Sequence, residues 1–329
     1  MKNKITQLLR RLATEKTIKP VSFEEEAIQV IRKTKAQGRY STADNYLTAL
    51  RALRQFRGQP LMPDEISAGF IDDFCCWLQV RRLSINTISC YLSSLRALYR
   101  KIDTKEQGED PFRFIRTGKS RSQKNILTAD DLHKLRALPL REGCHLAFVR
   151  DIFLFCFYAM GMPFVDVAHL ETRQIRNGRI YYKRHKTLQP VTVALEPFMM
   201  EIIRRYHIAG SPYVFPILSG YSDELGQCEY RNRLRGYNAS LKVLAKRAGI
   251  AKQLSSYVVR HTWASMAYQA DVALPVISKA LGHTNTSTTL LYIKGLDDAR
   301  IADANHALLR KIWGDKDDNV KITQKQKEK

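Results

Sequence analysis

The chain has 329 residues, which suits two domains better than one. Its 54 Lys and Arg against 32 Asp and Glu give a formal net charge of +22, spread along the length, and this points to a polyanion, usually a phosphate backbone. The longest apolar run, Ile152 to Val165, is broken by Gly161 and Pro163 and is too short for a bilayer. The basic N-terminus has no sustained apolar segment, so membrane and secreted classes are excluded in favour of the cytoplasm, beside the nucleoid.

Six cysteines, at 75, 76, 90, 144, 156 and 228, form no Cys-x-x-Cys pair and no metal-like spacing with histidine. Reduced thiols are expected, with no metal and no cofactor.

Residues 1–21 form a basic N-terminal segment. Ser22, with Glu25 after it, is a capping-box start for a first helix striped by Ala27, Val30 and Ile31. A second helix is expected from Ser41 to Phe56, a third from Ala68 to Gln79 and a fourth from Ile85 to Ile102. Together they make a four-helix bundle over 22–107. Arg96, Arg100 and Lys101 lie on the last turns of the fourth helix. They suit phosphates, and they equally suit a solvated helix end, where cations are favoured without any ligand.

Residues 108–126 read as a linker opened by Gly108 and Pro111 and rich in cations, among them Arg121 and Lys124. The second domain, 127–314, starts with Thr128 as N-cap and Asp131 in the first turn. Leu146 to Met160 is apolar almost all round and predicts a buried central helix. Asn177-Gly178 is a hairpin dipeptide, and Ile180–Tyr182 and Val191–Leu195 read as strands of a small sheet. Helices follow over Asn232–Ala248 and 297–313, and the polar tail 315–329 has the composition of a disordered segment.

Residues 257–292 concentrate the chemistry. Tyr257 and Arg260 share a helix face, with His261 beside them. Pro275 to Leu281 reads as a helix that stops at Gly282, with His283 next and Tyr292 nine residues beyond that histidine. Two imidazoles, a guanidinium and two phenols fall close together here in a strongly basic chain.

The words Tyr257-Val258-Val259-Arg260-His261, Leu281-Gly282-His283 and Tyr292 resemble the catalytic core of the tyrosine recombinases, or phage-type integrases, whose pattern is His-x-x-Arg-His, Leu-Gly-His and a tyrosine nine residues later. Tyr257 stands where most members have histidine, as in some integrases of bacterial mobile elements. The first domain resembles the family's core-binding (SAM-like) domain through Tyr40-Ser41-Thr42, Asn45-Tyr46, Asn86-Thr87-Ile88 and Leu95-Arg96. The fold implied is mainly α, a four-helix core-binding domain followed by an α-rich catalytic domain with a small antiparallel β-sheet.

The resemblance implies that Tyr292 attacks the scissile phosphate and forms a 3′-phosphotyrosine link without ATP or metal. Arg260 would grip the phosphate, His283 donate to a non-bridging oxygen and Tyr257 donate one hydrogen bond. Lys186, in Lys183-Arg184-His185-Lys186-Thr187, would protonate the leaving oxygen, with Lys183 its rival. His261 and Asp166 take supporting positions. Thr42, Asn45, Thr87, Arg96, Arg100, Lys101, Arg121 and Lys124 are the candidate DNA contacts. Double-stranded DNA is the implied partner, with a homotetramer in the synapse, and accessory DNA-bending proteins are compatible with it.

One element departs from the pattern. The family's first arginine sits just after or just before the glycine corresponding to Gly161, and here Pro163 and Met160 stand there. Arg150 is too far along the helix to replace it. The reading is a site-specific DNA recombinase, slow, altered at residue 160 or with another cation in that place; its rivals are a DNA-binding architectural or excision factor of the same fold and a relaxing enzyme like the type IB topoisomerases.

Overall fold

The computed structural model describes residues 21–102, 110–115, 125–220 and 224–290, with Leu308 and Arg310 besides. The expectations for 1–20, for Arg121 and Lys124, for Tyr292, for a helix over 297–313 and for the tail lie outside the described residues. The chain divides into two compact units, Met1–Gln123 and Lys124–Lys329, each with its own core.

In the first unit, α1 spans Phe23–Ala36, α2 Tyr40–Arg57, α3 Ala68–Val80 and α4 Ile85–Tyr99. Ser22 and Glu25 close the expected capping box: Glu25 N donates to Ser22 Oγ at 3.3 Å and Ser22 N to Glu25 Oε2 at 3.2 Å. Ser67 and Ser84 cap α3 and α4 in the same way, each accepting from a backbone N–H three residues on. α2 packs against α1 and α4. Phe23, Leu53, Phe74, Leu78, Leu95 and Leu98 are fully buried at their junction, each contributing about 1.5–3 kcal/mol by leaving water.

α4 ends at Tyr99, short of the expected Ile102, because the N–H groups of Arg100, Lys101 and Ile102 fold back in a capping turn. Beyond it Phe112, 2% exposed, lies against Tyr99 with ring centroids 5.6 Å apart and joins the first core.

In the second unit, α5 spans Ala129–Ala137, α6 His145–Tyr158 and α7 Phe164–Ala168. Thr128 N donates to Asp131 Oδ2 at 2.9 Å, and Asp131 N donates back to Thr128 Oγ1 at 3.1 Å. α6 is the buried central helix: Val149, Ile152, Phe153, Phe155 and Cys156 are all inaccessible or nearly so. It touches α8 (Pro197–Tyr206), α9 (Glu224–Arg247) and α10 (Val258–Gln269).

α9 begins well before the expected Asn232. Its first turns carry Leu225 exposed and Gly226 without a side chain, so apolar periodicity could not mark them.

The sheet has three antiparallel strands in the order β1 (Ile175–Arg176), β2 (Arg179–Lys183), β3 (Pro190–Ala194), one more than the sequence reading found. Asn177-Gly178 turns β1 into β2, both residues at positive φ. Ile180 pairs with Val193 and Tyr182 with Val191, and all four point into the core. α11 (Leu274–Ala280) packs on α10, on β3 and on the short α12 (Ser287–Leu290). The β2–β3 hairpin and the end of α11 thus meet, which builds the site. Among the described residues no helix is long and apolar enough to cross a membrane.

Candidate active site

Arg260 projects from the first turn of α10 and is 1% exposed, the largest fully buried side chain among the described residues. Its Nη1 donates to Gly161 O at 3.2 Å and its Nη2 to Leu281 O at 2.5 Å. The turn after α6 is shaped for this approach. Met160 and Gly161 both sit at positive φ, and a Cβ on Gly161 would lie 3.1 Å from Arg260 Cα. α10 therefore crosses the Gly161 turn at backbone distance.

His283 follows the helix stop that the sequence predicts. Gly282 N donates to Lys279 O and His283 N to Ser278 O, a Schellman closure with Gly282 at φ +62°. His283 Nε2 lies 3.1 Å from Arg260 Nη2, and Nδ1 lies 2.8 Å from Thr289 Oγ1. A guanidinium only donates, so Nε2 is the acceptor and Nδ1–H donates to Thr289. Burial, then Arg260, Arg184 and Lys186, push the imidazole down to about 4. It is neutral here and accepts from Arg260.

The hairpin tip is fastened to this turn. Thr187 Oγ1 donates to Gly282 O at 3.0 Å, next to the exposed Lys186. Lys186 is close enough to His283 to act on its proton affinity.

Asp166, in α7, is buried. Its Oδ1 accepts from His185 N at 2.9 Å, and its Oδ2 stands 2.8 Å from Arg184 Nε, an ion pair without hydrogen-bond alignment. Burial pushes this carboxyl up, with Arg184, the His185 N–H and Arg260 acting in the other direction.

Arg184 is a buried cation at this site that the sequence reading passed over. It is 6% exposed, and its Nη1 donates to Leu281 O at 2.9 Å, the oxygen that Arg260 also uses. The signal was present: Ile180 and Tyr182 face the core, and strand alternation carries Arg184 to the same side.

The remaining candidates fall in several places. Tyr257 is 46% exposed, with its ring edge-on to His261 at 5.1 Å. Met160 packs on the second core, one residue from the carbonyl that holds Arg260. Arg150 is engaged with Asp151 and Leu138 O, away from the Gly161 turn. In the first unit Asn45 is exposed and Thr42 half-buried. Thr87 Oγ1 is 2.8 Å from Ser84 Oγ within the α4 cap. Arg100 is bound to Asp110 at 2.6 Å, Lys101 lies over the Tyr46 ring at 5.2 Å, and Arg96 is half-buried. No group of His, Cys, Asp and Glu suited to a metal occurs among the described residues.

Comparisons with known proteins identify the family. Residues 125–298 match the profile of the phage integrase family, and residues 22–106 match the phage integrase SAM-like domain. A tyrosine recombinase XerD of Agrobacterium fabrum is 26% identical over 306 residues, 82% of this chain and 89% of the relative. The XerD of Rhizobium meliloti is 31% identical over 164 residues, 47% of this chain and 50% of that one.

Among solved structures, a lambda integrase dimer bound to a COC′ core site has a TM-score of 0.61 at 17% identity, covering 83% of this chain and 95% of its own. The Tn1549 transposon integrase in complex with a circular intermediate DNA has a TM-score of 0.62 at 16% identity, covering 87% and 99%. At such identities the likeness concerns the fold. Family membership rests on the profile, which spans more than half the chain and takes in Arg260, His283 and Tyr292. The chain belongs to the phage integrase family and is a tyrosine recombinase, an enzyme that breaks and rejoins DNA at specific sites.

Proposed function

We propose that this recombinase cleaves one strand through Tyr292 and holds the DNA as a 3′-phosphotyrosine. The phenolic oxygen bonds to phosphorus as the bond from phosphorus to the 5′ oxygen breaks. The phenolic proton is released to solvent, and the 5′ oxygen takes a proton from Lys186. The phosphodiester energy is conserved in the new bond, so a 5′ hydroxyl from another strand reverses the step without ATP. A phenol is a weak nucleophile at neutral pH, and the attacked group is already an anion, so cations on the non-bridging oxygens carry much of the work.

The observation that carries this reading is the Arg260–His283 pair, fixed on the turn that leads to Tyr292. Arg260 supplies the planar fork that suits a phosphate. An incoming phosphate competes for Arg260 Nη2, and its charge raises the proton affinity of His283. The imidazole then takes up a proton and donates to a non-bridging oxygen. Tyr257 adds one neutral hydrogen bond from the rim.

The partner is double-stranded DNA, with the exposed Asn45 and the half-buried Thr42 of α2 as contacts from the first unit. Four protomers would synapse two sites. The lambda integrase tetramer bound to a Holliday junction, with a TM-score of 0.62 at 17% identity, supports that assembly by analogy of fold.

The test is covalent capture. The chain is incubated with a library of nicked, randomised duplexes, and DNA that stays attached after denaturation is sequenced. Attachment that is lost in Tyr292→Phe, and enriches one sequence, supports the reading. Capture of no DNA, or capture that persists in Tyr292→Phe, overturns it.

A further inference from the structure

The family resemblance implies a first arginine beside Gly161, and residues 160 and 163 are methionine and proline. The β2–β3 hairpin does supply one. Arg184 and Arg260 are both more than nine-tenths buried, and they reach the same carbonyl oxygen from opposite elements. One buried carboxylate, Asp166, faces these two buried cations. Buried charge of one sign in excess is costly unless an anion shares the site. In Arg184, Nη1 donates to Leu281 O and Nε stands 2.8 Å from Asp166 Oδ2 without hydrogen-bond alignment, and Nη2 has no hydrogen bond among the described residues.

The site is also built around the stem of this arginine. A Cβ on Gly282 would lie 2.6 Å from Arg184 Cγ and 2.9 Å from Val191 Cγ2. The glycine between Leu281 and His283 thus leaves the space through which Arg184 passes.

We propose that Arg184 is a catalytic residue that grips a non-bridging oxygen of the scissile phosphate beside Arg260, with Asp166 as its positioning residue. The second guanidinium reaches the phosphate from the hairpin instead of from the turn after α6, so the clamp is complete with methionine at 160. This rests on the phosphodiester-cleaving reading above.

The test uses the full chain and a nicked duplex recovered by covalent capture, made with either a normal phosphate or a methylphosphonate at the scissile position. The methylphosphonate replaces one charged non-bridging oxygen by a neutral methyl group. On the phosphate duplex, with protein in saturating excess, Arg184→Ala should form the adduct about 10²–10³-fold more slowly. On one methylphosphonate diastereomer that deficit should shrink to about ten-fold or less, because the charge that the arginine neutralises is gone.

Arg184→Gln, which keeps a polar side chain of similar length and removes the charge, serves if the alanine variant does not fold, and the same pattern is expected of it. An adduct formed at the parental rate by the variant overturns the proposal and leaves the Tyr292 reading standing. A deficit that is equal on both duplexes, or loss of the fold in both variants, assigns Arg184 a structural role and also overturns it. Absence of adduct with the parental chain defeats the Tyr292 reading itself.

Discussion

Arg184 and Arg260 donate to one carbonyl oxygen, that of Leu281, at 2.9 and 2.5 Å. One comes from a hairpin and the other from a helix. Their meeting point is the last residue before the Gly282 turn, so a change in any of the three segments is felt by both guanidinium groups.

Gly282→Ala should destabilise the protein. The residue holds φ +62°, and its new methyl would overlap Arg184 and Val191. The left-handed backbone and the overlap together should cost about 2–4 kcal/mol. Thermal melting of the full chain should show a lower midpoint for the variant, with adduct formation reduced in step. An unchanged midpoint would mean that the hairpin yields freely at this point.

Met160→Arg should not accelerate cleavage. Residue 160 is already at φ 56° beside the carbonyl that holds Arg260, and Arg184 occupies the opposite approach. A third buried guanidinium adds repulsion that no carboxylate offsets. Single-turnover adduct formation should stay at or below the parental rate. A rise of about ten-fold or more would place the missing cation at 160.

His283 should titrate far below an ordinary histidine in the free protein. Its folded pKa of about 4 lies below the ordinary 6.5. Between these values the unfolded chain binds a proton that the folded one refuses, so stability rises with pH through the window and falls as pH drops through it. Imidazole NMR should show one neutral tautomer, protonated at Nδ1, down to about pH 5, and a raised pKa once DNA is bound. An ordinary titration in the free protein would remove the Arg260 contact from the account.

Asp151→Ala should unfold the second unit more readily without altering its chemistry. Asp151 is 3% exposed and accepts from Arg150 Nε at 2.9 Å, Arg205 Nη1 at 2.7 Å and Tyr206 Oη at 2.8 Å. Removing the carboxylate strands these donors and should cost about 2–4 kcal/mol. Melting should report the loss, while the adduct rate per folded molecule stays unchanged. A large fall in that rate would tie the cluster to catalysis.

Much of this protein was written in local chemistry. Ser22 with Glu25 and Thr128 with Asp131 announce their helices, because a cap needs only neighbours three residues apart. The all-round apolar run of α6, the Asn177-Gly178 turn and the stop at Gly282 are local in the same sense. The order of Arg260, His283 and Tyr292 along the chain was enough to suggest the family. The early start of α9 and the short strand β1 left little apolar pattern to read.

What the tertiary structure alone decided is which cations share a site. No spacing rule links Asp166, Arg184 and Leu281, which belong to three elements, and no local pattern tells a buried hairpin arginine from a solvated one. That difference depends on the β2–β3 hairpin closing over the end of α11, where Gly282 has no side chain to hold it off. The protonation of His283 was settled in the same way, since a neighbouring guanidinium and burial set it, and both come from packing. A sequence fixes which groups exist and the local bends that carry them. Long-range contact determines which of them lose water together, and that loss sets which side chains share a buried site.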